Sequence, residues 1–266
     1  MCPKVMANSQ IKKMSLLEIE ELEYVHLERI RYYFLDNFQD IKKGLIYRLE
    51  IKNDWYNIFI KTKHNQSSDL DKGAERIFHH VFSQGMKIPN SSPIGADLMY
   101  ETFDSFIHID IKTISDSNWE DYKGKIAIQC NQTSYPLFKV GSSPNLPTYY
   151  SKTFIKNGCE YNKPTLTYFI YILHKHASEE IFSILLVCMP NGELYEIYED
   201  KILHKGKNKG TPRYAFKEEP RFVLLSNQRG KNVFRVEFLF KNSNYSQEEL
   251  VGFSEKKYKI PVWVER

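Results

Sequence analysis

Pro93-Ile94-Gly95-Ala96-Asp97-Leu98-Met99-Tyr100-Glu101-Thr102-Phe103-Asp104-Ser105-Phe106-Ile107-His108-Ile109-Asp110-Ile111-Lys112-Thr113 is the stretch against which the rest of the chain is read. From Phe106 to Lys112 the residues alternate strictly, with Ile107, Ile109 and Ile111 on one side and Phe106, His108, Asp110 and Lys112 on the other. That is the period of a half-buried strand, so Asp110 and Lys112 project from one face. Gly95 to Tyr100 reads as a partner strand, joined through a turn at Thr102 to Ser105, where Asp104 and Ser105 are turn formers. Such a hairpin brings Asp97 beside Asp110.

Two carboxylates and one ammonium converging at strand ends have a chemical use. Hard oxygen ligands of this kind hold Mg²⁺, which keeps several waters and bridges to phosphate oxygens. A lysine beside them can orient or deprotonate a water for in-line attack on phosphorus. The bland alternative is a solvated cross-strand pair that contributes little.

Gly95-Ala96-Asp97, a short spacer and then Asp110-Ile111-Lys112-Thr113 resemble the PD-(D/E)XK nuclease motif, especially as it stands in type II restriction endonucleases. Alanine precedes Asp97 where the motif's name has proline, as in many members of that superfamily. The resemblance covers residues 69 to 135 and implies an α/β, restriction-endonuclease-like fold with a mixed central sheet flanked by helices and a strand-rich C-terminal half. It implies Mg²⁺-dependent, sequence-specific hydrolysis of double-stranded DNA that leaves 5′-phosphate ends. Asp97 and Asp110 would bind the metal and Lys112 would position the water. It also points to Glu75, because a glutamate on the helix before the catalytic hairpin often approaches the metal in such enzymes. For Glu75 the alternative is a surface pair with Lys72 or His79. His79 and His80 are read as structural.

The chain is long enough for a large core and reads as one nuclease domain over 1–266, with helices and catalytic core in 1–140 and a strand-rich DNA-recognition elaboration in 141–266. Its net charge of +4 fits a basic cleft on a mixed surface but does not by itself require a nucleic-acid partner. Tyrosine and phenylalanine are abundant, as in a core or in a surface that grips polyanions. The four cysteines show no zinc spacing, and no signal peptide or membrane-length apolar run is visible, which reads as a cytoplasmic protein with free thiols.

Ser15 followed by Glu18 is a capping-box signature that opens an amphipathic helix running towards Phe38. Leu45 to Glu50 and Trp55 to Lys61 read as strands, and His64 to Ser68 as a loop. Asp69 to Ser83 reads as a second helix with Gly85 as its stop. Lys125 to Cys130 is a strand, and Gly141 to Gly158 a long loop. Thr165 to His174 and Ile181 to Met189 are strands buried on both faces.

Asn131, Gln132, Thr133, Ser134 and Tyr135 are amide and hydroxyl groups able to meet phosphates or base edges, or to satisfy their own turn. Lys201 to Arg213 is the most basic segment, and its Lys205, Lys207, Lys209 and Arg213 are candidates for DNA contact; a solvated hairpin loop is the alternative. Arg229 belongs to a second basic patch. Cutting both strands of a palindrome needs two copies of the site, so a homodimer is expected. The rival readings are a non-catalytic nucleic-acid-binding module and a structure-specific junction or repair nuclease.

Overall fold

The computed structural model describes residues 11–45, 67–86, 96–117, 127–129, 149–176, 180–189, 203–204, 213–215, 224–225 and 233–246. Helix α1 spans Leu16–Asp36 and opens as its sequence dictates. The Glu18 amide donates to Ser15 Oγ at 3.3 Å, and the Ser15 amide donates back to Glu18 Oε2 at 2.9 Å. Two of the orphan donors at the helix start are thereby satisfied. Ile19, Leu22, Leu27, Ile30 and Phe34 form its buried stripe. A second helix, α2, covers 38–45, so Leu45 ends a helix where a strand was expected. Residues 46–66, which carry the rest of that expected hairpin, lie outside the described residues.

Helix α3 spans Ser67–Gly85 and begins two residues inside the expected loop. Its stripe of Leu70, Ala74, Phe78, Val81 and Phe82 is buried, and Phe78 and Phe82 meet α1, with Phe34 and Phe78 stacked at 6.0 Å and Tyr33 edge-on to Phe82 at 5.3 Å. Each such ring contributes about 1.5–3 kcal/mol by leaving water. Gly85 has a second role beyond marking the helix end. A Cβ there would collide with the Tyr33 ring, whose hydroxyl donates to the Val81 carbonyl at 2.8 Å.

The central sheet has the order β1-β2-β5-β6-β11, with β4 also paired to β5. Its strands are β1 Leu98–Glu101, β2 Phe106–Ser115, β4 Tyr149–Lys156, β5 Cys159–His174, β6 Ile181–Cys188 and β11 Val236–Lys241. Among the described strands of this sheet β2 and β5 run parallel and the other pairs antiparallel, which makes the sheet mixed. Four of its strands, β4, β5, β6 and β11, come from the second half of the chain. β4 lies inside the expected long loop and corrects that reading. A two-residue Asn157-Gly158 turn with φ of 52° and 74° joins it to β5.

Ile107, Ile109 and Ile111 of β2 lie on the same face as Leu166, Tyr168, Ile170 and Ile172 of β5, and this face packs on α1 and α3 as one core. A charged group enters that core. Arg235, fully buried just before β11, donates to Glu23 of α1 at 2.8 Å and lies 3.8 Å from Glu20. The Tyr168 hydroxyl donates to the Glu23 carbonyl at 2.8 Å. Burial raises the pKa of Tyr168 and of the neighbouring Cys188 thiol.

A separate small sheet has the order β3-β8-β7, from Ala127–Gln129, Arg213–Ala215 and Leu203–His204. A two-stranded ribbon pairs β9, Leu224–Leu225, with β10, Val233–Phe234. Among the described residues no helix is long and apolar enough to cross a membrane.

Candidate active site

The hairpin forms where its alternation places it. Leu98 opposes Ile109 and Glu101 opposes Phe106, and the same register carried one residue further sets Asp97 opposite Asp110. Directly opposed residues in an antiparallel pair share a face and stand a few ångströms apart. Asp97 Oδ2 accepts the Ile111 amide at 2.6 Å, which fixes its carboxylate across the two strands. Lys112 Nζ, a third exposed, pairs with Asp110 Oδ2 from the same face.

Asp110 is 1% exposed, and its pKa is raised to about 7. Burial is the largest cause; the Lys112 ammonium opposes it, and the neighbouring Asp97 carboxylate adds to it. A buried carboxyl crowded by another acid and countered by one lysine is a set that a divalent cation would complete. The donors are hard oxygens, which suits Mg²⁺. Among the described residues no three His, Cys, Asp or Glu side chains gather into a metal cage.

The turn of the hairpin is clamped at both sides. His26 of α1, itself buried, lies 3.0 Å from Asp104, which also accepts from Thr102 Oγ1 at 2.9 Å and Ser105 Oγ at 3.0 Å. Partial burial alone would raise the Asp104 pKa, but the bonds from His26, Thr102 and Ser105 outweigh it and hold it well below the usual range. On the β5 side Lys163 donates to Glu101 at 2.9 Å and to the Thr102 carbonyl at 2.6 Å.

Glu75 is half-buried on α3, which packs on β2. His79 and His80 are exposed. Asn131, Gln132, Thr133, Ser134 and Tyr135 lie outside the described residues, as do Lys205, Lys207, Lys209 and Arg229. Arg213 opens β8, opposite Gln129 of β3 and His204 of β7.

One residue of the site was given no role by its sequence. His108 lies on the Asp110 face, two residues before it, fully buried and, among the described residues, without a hydrogen-bond partner on either ring nitrogen. Burial lowers its pKa to about 4, so the ring is neutral at pH 7. Thr167 stands opposite it on β5, and the hydroxyls of Thr165 and Thr167 are likewise without partners. The alternation places His108 on that face, but nothing in the spacing shows that the covered side would leave it unbonded.

Comparison with known proteins places this geometry. The crystal structure of the restriction endonuclease BglI bound to its DNA recognition sequence matches 77% of this chain and 89% of that chain, at 17% identity and a TM-score of 0.54. The tetrameric restriction endonuclease SfiI bound to cognate DNA matches 82% of this chain and 89% of its own at 14% identity, with a TM-score of 0.47. Among curated proteins none matches. The mixed sheet flanked by helices is therefore the fold of a restriction endonuclease.

The family follows from the sequence models. The N-terminal domain of type II restriction enzyme MwoI matches residues 15–178, and its central domain matches residues 181–244. The chain belongs to the MwoI family of type II restriction enzymes, site-specific endonucleases that cleave DNA. The non-catalytic and junction-nuclease readings fall away.

Proposed function

We propose that this endonuclease hydrolyses double-stranded DNA with Mg²⁺ held by Asp97 and Asp110, and with Lys112 as the residue that positions the attacking water. The observation that carries this reading is Asp110: a fully buried acid in register with Asp97 and faced by one lysine. When bound, the ion supplies Lewis-acid polarisation of the phosphodiester and offsets the charge that builds on it. Asp97, tied to the Ile111 amide, keeps its orientation while the substrate arrives. Lys112 reaches the site from its exposed end and donates to the water, whose oxygen bonds to phosphorus as the P–O3′ bond breaks. The attacking water gives up a proton to solvent and the 3′ oxygen takes one from solvent, leaving a 5′-phosphate and a 3′-hydroxyl. Glu75, on the helix packed against β2, is proposed to complete the acidic set.

Asn131, Gln132, Thr133, Ser134, Tyr135, Lys205, Lys207, Lys209, Arg213 and Arg229 are proposed to contact DNA, and a homodimer to cut both strands. The chemistry of these residues supports the first proposal: amides and guanidinium read base edges, and lysines meet phosphates.

Digestion tests the reading. With Mg²⁺ the purified protein is expected to cut plasmid DNA into discrete bands, and to stop when the metal is chelated. Asp110→Ala and Lys112→Ala are expected to lose about 100- to 1,000-fold in cleavage while still binding DNA. Glu75→Gln is expected to lose less. Wild-type rates in Asp110→Ala would remove the proposed centre.

A further inference from the structure

The sheet face that carries Asp110 also holds buried polar atoms to which the proposed reaction gives no task. His108 Nδ1 and Nε2, Thr165 Oγ1 and Thr167 Oγ1 are covered and, among the described residues, have no hydrogen-bond partner. Register sets them side by side. Phe106 lies beside Thr165 and His108 beside Thr167 in the parallel pair of β2 and β5, and alternation keeps all four on the face of Asp110. The next pair on that face is Asp110 and Phe169. Asp110 Oδ2 is covered in the same way: it faces the Lys112 ammonium and has no other partner among the described residues. A buried polar pocket therefore ends on an acid proposed to bind metal.

We infer that this pocket holds water and that His108 is a positioning residue, which through a bridging water keeps the Asp110 carboxylate in the orientation that receives the divalent ion. The inference rests on the metal site proposed above. Native chains rarely leave one covered polar atom unpaired, and a pocket offering several of them is where buried water sits. The spacing suits a bridge. Residues two apart on a strand are separated by about 6.6 Å, and a water making two hydrogen bonds of about 2.8 Å spans a gap of that order. The neutral imidazole can serve both ends, since one ring nitrogen donates towards the acid while the other accepts from a threonine hydroxyl or a second water.

The two acids differ in a way that calls for such a partner. Asp97 is steadied by the Ile111 amide at 2.6 Å. Asp110 Oδ2 faces Lys112, but that lysine is the residue assigned to the attacking water, and one ammonium committed to the water is no fixed anchor for the acid. Carboxylates that hold a metal are themselves held by hydrogen bonds from outside the ligand shell, and loss of such a partner weakens the ion by about 10- to 100-fold. His108 is placed for that role and not for ligation, because among the described residues no three His, Cys, Asp or Glu side chains gather into a cage.

Direct ion binding tests this without relying on cleavage. Mn²⁺, which shares the preference of Mg²⁺ for oxygen ligands, is titrated into the metal-free full chain and the loss of its free-ion EPR signal is read for wild type, Asp110→Ala, His108→Leu, His108→Gln and Thr167→Val. His108→Leu is expected to bind about 10- to 100-fold more weakly than wild type. His108→Gln keeps a donor and an acceptor and should restore most of the affinity. Metal-free His108→Leu should melt no lower than wild type, because an apolar side chain there removes two uncompensated polar atoms; weaker binding that comes with a large drop in melting temperature would make the residue merely structural and overturn the role. Wild-type affinity in His108→Leu, or in the isosteric Thr167→Val should His108→Leu not fold, would overturn the inference and leave the metal site standing. A wild type that binds Mn²⁺ no better than Asp110→Ala would bring down the metal site itself, and the role of His108 with it.

Discussion

Asp110 shows why the site is built at a loss to the fold. An acid this deeply covered, beside Asp97, is costly to ionise. Asp110→Asn keeps the shape and removes the charge, so it is expected to raise stability in metal-free buffer at pH 8 by about 0.5–2 kcal/mol while abolishing cleavage. Urea unfolding of the two proteins checks this; a destabilised Asp110→Asn would mean that the Lys112 pair outweighs the burial. His108 makes a complementary case. Buried groups in native proteins rarely lack partners, and a polar pocket with several of them generally holds water. A high-resolution crystal structure is therefore expected to show an ordered water bonded to His108 and to Thr165 or Thr167. A dry pocket would contradict this.

At the scale of the element, the β1–β2 hairpin is fastened to α1 through His26 and Asp104. Asp104 has a depressed pKa in the folded chain, so its contribution is present above its unfolded value, near 3.9, and is lost as pH falls below it. Thermal melts of wild type and Asp104→Asn are expected to differ at pH 7, to keep most of that gap at pH 4, and to draw together only as pH falls well below 3. A gap that stays constant across this range would detach Asp104 from the clamp. The hairpin itself was legible because period-two alternation and an Asp-Ser turn are local signals, and the capping box of α1 was legible for the same reason. β4 was missed although its signal was present: Asn157-Gly158 is a dipeptide suited to a tight hairpin turn. The prolines and serines before it directed the reading towards a loop. Leu45 was misread because a short apolar run fits a helix end as well as a strand.

For the whole molecule, the decisive contacts join residues far apart in the chain, which is why they left no trace in local pattern. Arg235 and Glu23 are 212 positions apart, and neither is marked by its neighbours as buried. Arg235→Met would remove the buried cation that faces Glu23 and Glu20, and is expected to cost about 3–5 kcal/mol. A midpoint in urea close to that of wild type would show the cluster to be dispensable. The same sheet sets how the chain can be divided. Residues 1–178 contain Asp97, Asp110 and Lys112 but lack β6 and β11, which cover β5 and carry the sheet outward. That fragment is expected to show no cooperative melt by circular dichroism, and a sharp transition would count against it.

The parallel contact between β2 and β5 has a consequence for synthesis. β2 is finished at Ser115, but the strand lying along its full length begins only at Cys159, and that strand waits in turn for β6 and β11. A chain still on the ribosome thus owns the proposed cutting residues long before it has the wall that holds them in place, so the ability to sever DNA should arrive only once β11 has been made.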